Sequence, residues 1–175
     1  MVKLSQNGLK VLKTVHLLII AGWFGGGIAM NLLAYKTSEM DQQSALLTAF
    51  HMIDIIDMQL VATCALLTLI TGLIYGILTH WGFFKHPWLV IKWIITVLVI
   101  SSGVAFSSAY LEKMEAMVGQ FGVAAIQNPE YLVIAQANLR LGIIQLIMLA
   151  LAVILSIWKK PRRKRNPSDN IKEQD

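Results

Sequence analysis

Apolar positions in this chain do not alternate with polar ones. They run. Four stretches, about Thr14–Tyr35, Met58–Thr79, Trp88–Tyr110 and Leu139–Trp158, are nearly continuous in Leu, Ile, Val, Ala, Met, Phe and Trp, and each reaches the ~20 residues needed to cross a hydrocarbon core as a helix. The pattern predicts an all-α, four-helix transmembrane bundle. The more mixed segments Ala45–Asp57 and Glu130–Asn138 read as polar helical extensions of the second and fourth spans. The first run is too long for a removable leader and lacks a small-residue cleavage site, so it is expected to stay as the first span. No internal repeat is evident.

Charge placement adds direction. Lys3, Lys10 and Lys13 precede the first run, Lys85 lies in the second loop, and a basic cluster from Lys159 to Arg165 follows the fourth. The first loop carries Lys36 with Glu39 and Asp41, and the third carries Lys113 with Glu112, Glu115 and Glu130. Basic residues favour the cytoplasmic side, so both ends are expected inside a bacterial-type cytoplasmic (inner) membrane. Trp81, Trp88 and Trp158 fall at the same interface, where amphipathic rings settle. Residues 1–158 are read as the membrane domain and residues 159–175 as a disordered basic tail.

Composition agrees: of 175 residues 56% are hydrophobic and 14% charged, against roughly a quarter charged in soluble domains, and the mean hydropathy is +0.62. The net charge of +5 is not a nucleic-acid footprint. It is concentrated just beyond the last span, where it suits an anionic inner leaflet. A lone Cys64 excludes an intrachain disulfide. Phosphate-binding Gly-rich loops, hydrolase triads and CxxC knuckles are absent from the sequence.

Ionisable residues within spans face a bundle interior or an interface, and there are few. His16 stands one turn inside the first span and Lys92 one turn inside the third, at matching depth. A neutral imidazole is a common iron ligand; a buried ammonium there suits a propionate, a proton transfer or an unusual iron contact. The bland alternatives are an interfacial histidine and a lysine snorkelling to headgroups. His80 and His86, in the second loop, offer a second axial ligand or contact headgroups. At the other end His51, Asp54 and Asp57 recur every three residues, on one broad helical face, with Arg140 at corresponding depth. An ion pair between Arg140 and an aspartate is the structural reading; a metal or proton entry site is the functional one. Gly22 and Gly26, four apart, permit close helix packing or room for a flat macrocycle. Eight methionines are scattered among leucines and form no copper-handling array.

Leu9-Lys10-Val11-Leu12-Lys13-Thr14-Val15-His16-Leu17-Leu18 with Gly22-Trp23-Phe24-Gly25-Gly26 resembles the opening helix of two bacterial membrane groups: the copper-resistance protein D-like family and the small membrane protoporphyrinogen oxidase. Thr79-His80-Trp81-Gly82-Phe83-Phe84-Lys85-His86-Pro87-Trp88-Leu89-Val90-Ile91-Lys92-Trp93 looks like an uncharacterised four-helix bacterial membrane family. The oxidase resemblance implies haem b, with His16 as the iron-binding histidine of helix 1 and Lys92 as the lysine of helix 3 tied to activity. Three functions then compete. One is a haem-b redox protein acting on a quinone- or porphyrin-like partner, an oxidoreductase of that oxidase's type. The second is a small transporter or ion-binding protein using His51, Asp54, Asp57 and Arg140, for which four helices require a homodimer. The third is a non-catalytic membrane scaffold.

Overall fold

The computed structural model describes residues 5–78 and 87–157; Trp81, Lys85, Trp158, His80, His86 and the basic tail lie outside them. Every regular element among the described residues is helical. Helix α1 spans Gln6–Lys36, begun by Ser5, whose hydroxyl accepts from Gly8 N at 3.2 Å, a side-chain N-cap. Helix α2 (Gln43–Ile55) continues through a π-helical segment, Ile56–Val61, into α3 (Ala62–Leu78). Helix α4 (Pro87–Ser102) likewise continues through a π-helical segment, Gly103–Ser107, into α5 (Ser108–Phe121). Gly122, at φ +59°, ends that rod, a backbone state that glycine adopts without Cβ strain. Helix α6 spans Pro129–Ile157. Pro129 fits a first helical position that needs no N–H, and Asn128 Oδ1 accepts from Glu130 N at 2.8 Å.

Four rods thus run up and down, each long and apolar enough to span a membrane. Two of them are far longer than a bilayer requires, and their excess lies at one end. There α2 and α5 pack together and, with the start of α6, enclose a core of Leu46, Phe50, Ile53, Met114, Met117, Val118 and Tyr131. We call this the cap end, and the opposite one, carrying Gln6 and Ile157, the terminal end. The cap core is shielded almost completely, as water-driven packing requires. The span core is small (Trp23, Ala65, Val99 and Leu149), while residues such as Leu18, Ile77, Ile94 and Ile147 point outward. Lipid is as apolar as they are, so spans associate by close fit instead.

That fit orders the rods in space as α3–α1–α6–α4. On α1, a Cβ at Gly26 would stand 2.8 Å from Val61 Cγ2, and one at Gly22 3.0 Å from Cys64 Sγ. The other side of α1 meets α6, where Gly27 faces Leu146 and Gly142 faces the Asn31 amide. Helix α6 in turn meets α4. The fourth seam, between α3 and α4, is different: among the described residues these helices make few close backbone approaches. One such point is Gly72 beneath the Trp93 ring, 3.8 Å from where a Cβ would stand.

Candidate functional site

Polar side chains within the spans fall into two layers. Toward the terminal end, His16 Nδ1 lies 2.6 Å from Thr71 Oγ1 on α3. Thr71 Oγ1 is also 2.7 Å from Leu67 O, so its single proton goes to the backbone and its lone pair faces the imidazole. The hydrogen-bond network therefore assigns the neutral ring a proton on Nδ1 and a lone pair on Nε2. At the same level Lys92 Nζ donates to Ser156 Oγ at 2.7 Å and stands 5.7 Å from the Trp88 ring centroid. Ser156 Oγ in turn donates a hydrogen bond to Ala152 O at 2.9 Å. The two groups are linked in depth through α3, where Thr71 meets His16 and the adjacent Gly72 meets Trp93, the neighbour of Lys92, although each group is anchored to a different neighbouring helix. Thr68 Oγ1, nearly one turn from Thr71, is buried with no hydrogen-bond partner among the described residues.

The second layer lies toward the cap. From residue 16 to residue 31 of α1 is roughly 22 Å at 1.5 Å per residue. Asn31 Nδ2 donates to Gly27 O at 2.8 Å, and its amide fills the space that Gly142 leaves on α6. Across from it, Ser107 donates to Asn138 Oδ1 at 3.3 Å, and Gln145 Nε2 donates to Ser102 Oγ at 3.0 Å. Between the rods is a cavity of about 270 Å³. Asn31, Asp57, Ser107, Asn138 and Gln145 face it, and Trp23 and Leu149 close its floor toward the terminal end. Both π-helical segments contribute wall residues. Such segments concentrate at functional positions, because the extra residue per turn re-aims a side chain and bends the rod.

Asp57 sits in the first of them. It is half-buried, it faces the cavity, and it has no hydrogen bond or ion pair among the described residues. The other members of the expected cluster do not line the cavity. His51, Asp54 and Arg140 are exposed, and the described salt bridges are Lys36–Glu39 and Lys113–Glu130, so the anticipated Arg140–aspartate pair is not formed. Three-residue spacing put His51, Asp54 and Asp57 on one broad face, but only the last reaches the interior. No group of three or more His, Cys, Asp or Glu able to hold a metal occurs among the described residues. Gly22 and Gly26 are covered by Leu60, Val61 and Cys64, which leaves no space there for a macrocycle. Sequence reasoning passed over Asn31, Asn138, Gln145, Thr71 and Ser156. The usable signal was amides and hydroxyls within apolar runs, paired by counting depth along antiparallel helices.

Residues 10–160 match the model of a family described as "predicted integral membrane protein (DUF2269)", and the chain belongs to that family. It is a multi-pass integral membrane protein. No curated protein and no solved structure matches it.

Proposed function

We propose, with membership of an integral membrane family as the premise, that the protein binds a small ligand in the cavity beneath its cap as a transport-type membrane protein. The carrying observation is Asp57, a carboxylate on the wall of that cavity with no counter-charge among the described residues. A charge within a span is costly unless paired or wetted, so the site favours a ligand that supplies the missing charge. Asn31, Asn138, Gln145 and Ser107 add donors and acceptors around it, while Trp23 and Leu149 separate this layer from His16 and Lys92. Lysine and arginine placement supports a cytoplasmic-membrane setting with both termini inside, which puts the cap outside. Alternating access with four spans calls for a second copy of the chain. Native mass spectrometry of protein released from lipid nanodiscs tests the reading. Wild type carries a small adduct that Asp57→Asn lacks; equal adducts on both, or none on wild type, overturn it.

A second reading, haem b at the terminal layer, is favoured by one specific feature: Thr71 holds His16 so that Nε2 keeps the lone pair. Metal-binding histidines are commonly held this way through their other nitrogen. The donor set fits one axial contact, Thr68 Oγ1 adds an unsatisfied group nearby, and Lys92 suits a propionate. Among the described residues no second histidine stands at this level. Haem would supply one-electron chemistry toward a quinone- or porphyrin-like partner, as an oxidoreductase. Here a Soret band in protein from haem-replete cells, lost in His16→Ala, is the expected result; colourless wild type that stays colourless with added haem defeats it.

A further inference from the structure

The cavity has a side opening, and its rim is apolar. Helices α2 and α5 are clasped in the cap, and Trp93 over Gly72 closes the far end. Between those two closures the described residues of α3 and α4 make few close backbone approaches. The π-helical segments Ile56–Val61 and Gly103–Ser107 lie where the rods part, and breaks of that kind are a recognised cause of helix bending. Met58, Leu66 and Val104 line the cavity and yet are 63%, 58% and 74% exposed. A wall residue that exposed stands at a rim. All three are apolar, so the rim suits the bilayer interior rather than water.

The contents of the cavity complement one kind of guest. Among the described residues its lining carries one charged group, the Asp57 carboxylate, and no group of three or more acidic, imidazole or thiol ligands that a multivalent ion would draw on. Its remaining walls are largely aliphatic, with Trp23 at the floor, and an aromatic face also attracts a cation. The volume of about 270 Å³ is room for an ammonium head and the first carbons of a chain. We infer that the ligand is a singly charged, amine-headed amphiphile that enters from the bilayer through the α3–α4 opening and places its ammonium against Asp57. This deepens the cavity reading above and rests on it.

The probe is n-octylammonium, added to the full-length protein in lipid nanodiscs. The readout is the labelling of Asp57 by dicyclohexylcarbodiimide, a reagent that reaches carboxyls from the lipid phase, quantified by peptide mass spectrometry. Octylammonium is expected to protect Asp57 at about a tenfold lower concentration than 1-octanol, the difference that one charge-assisted contact supplies. Tetramethylammonium, which stays in water, is expected not to protect. Val104→Trp adds bulk at a lipid-facing rim position and should slow Asp57 labelling while leaving the melting profile unchanged. Protection by tetramethylammonium equal to that by octylammonium, or unaltered labelling in Val104→Trp, overturns the bilayer route but leaves the cavity reading standing. Equal protection by octanol overturns the role of the charge. Asp57 labelling no faster than that of exposed Asp54, and blocked by none of the three probes, removes both.

Discussion

Asn31 and Gly142 illustrate how single residues set this site. The Asn31 amide occupies the volume that a side chain at 142 would need, so α1 and α6 approach through a polar group wedged over a glycine. Adding a methyl in so tight a place forces side-chain or backbone shifts that cost ~1–3 kcal/mol. Gly142→Ala is therefore expected to be less stable by that amount in a denaturant titration of detergent-solubilised protein. A change within a few tenths would show that the contact is slack. Thr71 is a quieter device. With its proton committed to Leu67 O, Thr71→Val keeps the volume but leaves His16 Nδ1 without its acceptor. If haem is bound, the Soret position should move while the band persists; an unchanged spectrum would assign Thr71 to packing alone. These residues were not legible in advance. A threonine or asparagine in an apolar run signals little until its partner across the interface is known.

At the scale of elements, the four spans could be read directly because lipid imposes a length and an unbroken apolar run. The extension of the second span over Ala45–Asp57 was legible too, from its mixed pattern, and α2 with the start of the π-helical segment covers it. That the third rod continues through Phe121 was not. Glu112, Lys113 and Glu115 look like loop residues until Met114, Met117 and Val118 are seen buried against α2. Nor do the π-helical segments have a sequence signature, since one extra residue per turn is stabilised by what surrounds it. Deleting Ile56 should restore a regular α-helical path and turn Asp57 away from the cavity. Carbodiimide labelling of the carboxylate would then fall well below wild type while helix content by circular dichroism holds. Undiminished labelling would mean that the segment does not aim the side chain.

The whole molecule joins two parts held by different forces. In the cap, apolar side chains leave water, and a fully buried one is costly to truncate. Met114→Ala, with Met114 only 1% exposed, should cost ~2–5 kcal/mol of cap stability. Hydrogen exchange should report it as faster exchange confined to α2, α5 and the start of α6, with the lipid-embedded amides still protected. Exchange spreading evenly through all four rods would instead mark cap and spans as one cooperative unit. The arrangement α3–α1–α6–α4 with one loose seam was beyond sequence reading. Hydropathy fixes how many spans exist, whereas their neighbours depend on small residues such as Gly26 and Gly142 meeting particular partners.

Trp93 resting on Gly72 has a mechanical consequence. With that ring pinning the lower end and the α2–α5 clasp pinning the upper, the two rods form a bow strung at both tips. Such a bow cannot swing open like a door; it can only flex at mid-height. A guest wedged there, or a change in lateral pressure from the surrounding lipid, would register as curvature concentrated in Ile56–Val61 and Gly103–Ser107.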